Sequence, residues 1–76
     1  MDYIQVTFKI EPADPGNEVL VAELSLLNFE SFEETEQGLK AFIPINMFDE
    51  NNLQQLEKRL SDMFTISSSF ETIKFT

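Results

Sequence analysis

Four strands and two helices in the order β-α-β-β-α-β, an α+β sandwich, are the architecture this chain predicts. Three observations carry the prediction. Tyr3 to Ile10 alternates apolar and polar residues. Two leucine stripes at helical spacing, Leu20-Leu24-Leu27 and Leu53-Leu56-Leu60-Met63, are separated by a strand-turn-strand stretch. A final β-rich run, Phe70 to Phe75, follows the second stripe. Periods of 2 and 3.6 alternating in this order describe the ferredoxin-like split βαβ arrangement, with both helices on one face of a four-stranded antiparallel sheet.

Each element has a local reason. In the first strand Ile4, Val6, Phe8 and Ile10 fall on one face, with Tyr3, Gln5, Thr7 and Lys9 on the other, the pattern of a half-buried strand. Glu11 to Gly16 holds two prolines and a glycine and breaks the chain. Asp14 is placed to cap the first helix, with Pro15 at its first position and Glu18 in its first turn. That helix is expected to end near Leu27, with Asn28 in the left-handed exit conformation.

Phe29 to Thr35 and Leu39 to Ile43 predict a hairpin about Gln37-Gly38, and Pro44 ends its second strand. The preferred version is a three-residue loop with a bulge, in which Gly38 is left-handed. It sets Thr35 opposite Leu39, Glu34 opposite Lys40 and Phe32 opposite Phe42. Phe29, Leu39, Ala41 and Ile43 then share the core face. A two-residue loop shifts the pairing by one and turns Phe32 inward. Asp49 caps the second helix, with Glu57, Lys58, Arg59 and Asp62 toward water and Phe64 at the edge of its stripe. Ser67-Ser68-Ser69 reads as a polar connection, and Ile73 and Phe75 share a face of the last strand.

Composition narrows the function. The 76 residues make one domain, 1–76. Cysteine, histidine and tryptophan are absent, which removes thiolate metal sites, disulfides and every His-dependent nucleophile arrangement. Fourteen acidic against five basic residues give a net charge of −9. That sign repels phosphate backbones and favours basic partners, so nucleic acid is not the expected ligand. No apolar run reaches the roughly 20 residues a membrane span needs. The N-terminus has no signal-peptide pattern, and the cytoplasm is the default location.

With two glycines, Gly16 and Gly38, no dinucleotide or P-loop fingerprint can be written. No carboxylate pair is placed in an apolar pocket that would raise its pKa. Consecutive strand acids point to opposite faces and cannot converge on a metal. Catalytic, cofactor-binding and metal-ligating residues are therefore assigned to no position.

What remains is a surface. Glu30, Glu33, Glu34 and Glu36 put four acids into seven residues. They are either a docking patch for a basic protein or a solvated edge strand whose charge prevents sheet-to-sheet pairing. In the bulged register, Phe32 and Phe42 point away from the helices and join Tyr3, Gln5, Glu34 and Lys40. Exposed aromatics among polar residues suggest an interface. The candidate partner-binding set is Tyr3, Phe32, Glu33, Glu34, Glu36, Lys40 and Phe42. Partner binding, packing on a further domain and weak homodimerisation compete for this face. An RNA-binding version of the fold is disfavoured, because Gln37-Gly38-Leu39-Lys40-Ala41-Phe42 lacks the interleaved aromatics and the charge opposes RNA.

The stretch Leu27 to Pro44, with Tyr3-Ile4-Gln5-Val6, Leu20-Val21-Ala22-Glu23-Leu24, Phe48-Asp49-Glu50 and Leu53, resembles the N-terminal domain of bacterial ribosomal protein L-11 methyltransferases of Bacteroidetes type. The resemblance covers most of the chain and contains no catalytic motif. It implies a two-domain enzyme that transfers methyl groups from S-adenosylmethionine to amino groups of L-11. This chain corresponds to the part that recognises the protein substrate, and the linked Rossmann-like catalytic domain lies outside it. The implied partners are L-11 and the enzyme's own catalytic domain. The competing expectation is a stand-alone regulatory domain that binds a small metabolite or dimerises through its sheet.

Overall fold

The computed structural model describes residues 2–74. In chain order the elements are β1 (Asp2–Glu11), α1 (Ala13–Ser25), β2 (Ser31–Glu34), β3 (Gly38–Pro44), a 3₁₀ turn (Ile45–Met47), α2 (Glu50–Leu60) and β4 (Thr65–Lys74). The four strands form one antiparallel sheet in the order β2-β3-β1-β4. This is the expected α+β, ferredoxin-like arrangement.

The sheet has one dry face. Ile4, Val6, Phe8 and Ile10 of β1 are buried with Leu39, Ala41 and Ile43 of β3, as their alternation predicts. Leu20 and Leu24 of α1 and Leu53, Leu56 and Leu60 of α2 close over them in a single cluster with Phe29 and Phe64. Met63 departs from the expected stripe and is 65% exposed. α2 stops at Leu60, so the helical spacing no longer applies at Met63, and Phe64 enters the core after the turn instead.

The caps explain where the helices begin and end. Asp49 is extended, and its carboxylate accepts a 2.9 Å hydrogen bond from the Asn51 N–H, as a cap should. Glu50 lies in the first turn of α2, and Lys58 and Arg59 in the last, each sign matching the helix dipole. At α1 the helix starts earlier than expected, but Asp14 keeps the extended dihedrals of a cap residue, with Pro15 directly after it. The helix begins at Ala13, after Pro12, and Asp14 sits inside it with extended dihedrals that interrupt the first turn. Steric conflict with a following proline disfavours helical dihedrals, and Pro15 follows Asp14. At the other end Asn28 has φ 74°. The Phe29 N–H reaches back to the Leu24 carbonyl at 3.2 Å, closing the helix with the expected left-handed residue.

The hairpin overturns the preferred register. Phe32 lies opposite Ala41, Glu33 opposite Lys40 and Glu34 opposite Leu39. Thr35 and Gly38 close the loop with reciprocal backbone bonds of 3.0 and 3.4 Å, leaving a two-residue loop, Glu36-Gln37. Gly38 does not have positive φ. Glycine is required there for a different reason: a Cβ would stand 2.3 Å from the Phe8 carbonyl oxygen of β1. Because Lys9 pairs with Gly38, the turn is pressed against β1, and the Ile10 N–H donates to the Gln37 carbonyl at 3.0 Å. Phe32 consequently turns inward and packs half-buried against the core.

β4 is also longer than expected. It absorbs Ser67, Ser68 and Ser69, which pair with Lys9, Phe8 and Thr7. Its helix-side residues are Ile66, Ser68, Phe70 and Thr72. Ile73 pairs with Tyr3 and therefore lies on the opposite face. The expectation for Phe75 falls outside the described residues.

Candidate functional site

The sheet face away from the helices is open. Tyr3, Gln5, Thr7 and Lys9 of β1 reach it because Ile4, Val6, Phe8 and Ile10 take the dry side. Cross-strand pairing then brings Phe42 and Lys40 of β3 beside Gln5 and Thr7. Ser31 and Glu33 of β2 stand opposite Phe42 and Lys40. Ser67, Ser69, Glu71 and Ile73 of β4 complete the face.

Four of the seven residues singled out from sequence therefore meet on this face: Tyr3, Glu33, Lys40 and Phe42. Phe32 and Glu34 do not. The one-residue shift in register places both on the helix side, with Phe32 against the core and Glu34 exposed at the sheet edge. Glu36 sits in the hairpin loop, beside Lys9 and Glu11. Glu33 and Lys40 are cross-strand partners but close no ion pair. Among the described residues the ion pair formed is Arg59 to Glu23 at 3.4 Å, which ties α2 to α1 with Arg59 exposed and Glu23 half-buried, and adds little stability.

Sequence reasoning missed a contact across the sheet. The Tyr3 hydroxyl donates a 2.6 Å hydrogen bond to Glu30 Oε1. Glu30 is held by its own backbone, whose N–H donates to the Phe42 carbonyl at 2.8 Å. Tyr3, Glu30, Ser31 and Phe42 together line a shallow cleft of about 510 Å³. Nothing local in the sequence marks Tyr3 and Glu30 as partners, because strand order alone makes them neighbours. Farther along β1, Gln5 Nε2 donates to Glu71 of β4 at 3.2 Å.

The hydrogen bond to Glu30 holds the Tyr3 phenol above the ordinary tyrosine pKa, with desolvation and the negative charge of Glu30 acting in the same direction. A raised folded-state pKa means the folded form holds the proton more tightly. The associated stabilisation is complete below the unfolded value, about 10, and is lost as pH rises through the folded value. Tyr3 is the one tyrosine in a chain without tryptophan, so absorbance near the phenolate band follows it alone. Its titration midpoint is expected above 10 and is expected to fall back in Glu30→Ala. An unchanged midpoint in that variant would remove Glu30 as the cause.

Among the described residues no cluster of His, Cys, Asp or Glu could hold a metal ion. Gly16 is packed against the Ile10 side chain and Gly38 against the Phe8 backbone. The face can bind through two aromatic rings, several carboxylates and a row of serines.

The ribosomal protein L-11 methyltransferase of Phocaeicola vulgatus is 39% identical over 57 residues, which is 74% of this chain and 20% of that protein. That of Bacteroides thetaiotaomicron is 42% identical over 55 residues, 71% of this chain and 20% of that protein. That of Bacteroides fragilis is 40% identical over 55 residues, with the same coverage. No family model matches the chain. No solved structure matches it either. The chain is similar to about a fifth of the length of these curated relatives. On this ground the chain is similar to one part, an N-terminal domain, of the Bacteroidetes ribosomal protein L-11 methyltransferases.

Proposed function

We propose that this domain recognises the protein substrate of an S-adenosylmethionine-dependent methyltransferase, and that the substrate is ribosomal protein L-11. The observation that carries the reading is the 39–42% identity to L-11 methyltransferases over 55–57 residues. A methyltransferase needs both a donor site and a grip on its acceptor. This chain offers an open, partly aromatic sheet face on an acidic domain, which suits a grip. The net charge of −9 favours a basic partner. The methyl donor belongs to the remainder of the parent enzyme, as does the chemistry, and the domain alone binds without catalysing. Gripping the substrate away from the reaction lets a linked catalytic domain visit several amino groups. The working compartment is the cytoplasm, where ribosomal proteins are made. No helix among the described residues is long and apolar enough to cross a membrane.

The test is a titration of the isotope-labelled domain with purified L-11, followed by NMR shift changes. Saturable shifts confined to the open face and the hairpin are expected. Silence at several hundred micromolar protein would overturn the reading for the isolated domain.

One observation favours a second reading, self-association through the sheet. β4 is a ten-residue outer strand without proline, and such an edge is a template for pairing. The other edge, β2, is four residues long and acidic. Sedimentation at rising concentration separates the readings, since a dimer that forms without L-11 would support the second.

A further inference from the structure

The cleft between Tyr3 and Phe42 is built differently from the rest of the open face. Tyr3 lies opposite Pro44 and Phe42 opposite Gln5, so the two aromatics are diagonal neighbours on adjacent strands of one face. Such neighbours are roughly 7–8 Å apart, a gap that aromatic side chains span. Glu30 closes one side of the cleft and Ser31 lines it. The Tyr3 hydrogen bond fixes one carboxylate oxygen of Glu30, and an ionised carboxylate has further lone pairs with which to accept. The faces of both rings are electronegative, and the carboxylate carries full charge.

This chemistry selects its ligand. An anion is repelled by all three groups. A purely apolar group would strip water from Glu30 and give nothing back. A divalent cation would need several converging oxygens, and no metal-holding cluster is present among the described residues. A basic side chain meets every requirement, because its aliphatic stem can lie against the rings and its charged head can reach Glu30. Lys40, the nearest cation on the face, stands one row away opposite Glu33 and does not line the cleft.

We propose that Tyr3, Phe42 and Glu30 form a receptor for one cationic side chain, lysine or arginine, presented by a partner segment. The receptor depends on the recognition reading for the source of that side chain, a basic protein, but its chemistry can be tested without that protein.

Tyr3 fluorescence reports on the cleft without interference, since the chain has one tyrosine and no tryptophan. The full chain is titrated with blocked tripeptides Gly-X-Gly, where X is lysine, arginine or the neutral isostere norleucine. A saturable change with lysine or arginine, at a Kd on the order of millimolar, is expected, with none for norleucine. The relative response to the two cationic peptides identifies which head group fits. Glu30→Gln and Phe42→Leu, both checked for folding by circular dichroism, are each expected to weaken binding at least severalfold. A norleucine response equal to that of lysine, an unaltered Kd in Glu30→Gln, or no response to either cation would overturn the proposal. L-11 binding beside a silent cleft would sink this inference and leave the recognition reading intact. A cleft that takes lysine in a domain indifferent to L-11 would do the reverse.

Discussion

Gly38→Ala is expected to cost about 3 kcal/mol or more, the upper range for forcing atoms into a packed site. The added Cβ would stand 2.3 Å from the Phe8 carbonyl oxygen and 3.2 Å from the Ile10 nitrogen. Both are backbone atoms in the middle of the sheet and cannot swing aside. Relief requires β3 to move off β1, and their shared residues Phe8 and Leu39 are fully buried. A chain of 76 residues is stable by only about 4–11 kcal/mol at the usual value per residue. The loss should therefore appear as a fall of roughly 2–3 M in the urea midpoint, or as failure to fold. Gly16→Ala is the control. Its Cβ would meet Ile10 side-chain carbons at 3.0 Å, and those atoms can shift. The helix gains about 1 kcal/mol from losing a glycine, so the net effect should be small. Gly38→Asn decides between the two hairpin geometries. A left-handed turn residue would accept asparagine, whereas a residue pressed against β1 rejects any Cβ. A stable Gly38→Asn would restore the bulged register.

The second large effect is electrostatic. Replacing Glu33, Glu34 and Glu36 by lysine changes the net charge by six, from −9 to −3. If the hairpin steers a basic partner, affinity for L-11 should fall roughly tenfold at low salt, and the remaining binding should depend less on ionic strength. The structure divides the triplet. Glu33 faces the open side beside Lys40, and Glu34 faces the helix side. Glu33→Lys alone should therefore weaken binding more than Glu34→Lys. Thermal melts of both are needed, because a lysine at Glu33 stands opposite Lys40 and costs a few tenths of a kcal/mol by like-charge contact. Equal effects of the two single changes would move the docking surface off the open face. If neither changes an established affinity, the acids serve only to keep the sheet edge soluble.

Much of this molecule is legible in its sequence. The strict alternation from Tyr3 to Ile10 determined which side of β1 is dry, because side chains alternate faces whatever the strand pairs with. The leucine spacing placed both helices, and Asp49 and Asn28 marked a start and an end through local backbone chemistry. The composition set the sign of the surface and removed histidine and thiol chemistry. Tyr3, Lys40 and Phe42 lie on the open face as the alternation predicts, whereas Glu33, which the bulged register turns to the other side, joins them only through the shifted pairing.

Tertiary structure decided the rest. The hairpin register depended on β1: Gly38 suits a left-handed bulge when the hairpin is considered alone, but the Phe8 carbonyl beneath it makes close approach the governing constraint. That single shift sends Phe32 into the core and Glu34 to the helix side. Ser67 to Ser69 look like a connection by composition and become a strand because β1 offers a full-length partner. Met63 follows helical spacing on paper but lies beyond the last turn of α2. The Tyr3–Glu30 contact joins residues far apart in the chain. Periodicity and capping are local and are written in neighbouring residues. Register, close approach and the meeting of a phenol with a carboxylate are properties of paired strands, and only the assembled sheet fixes them.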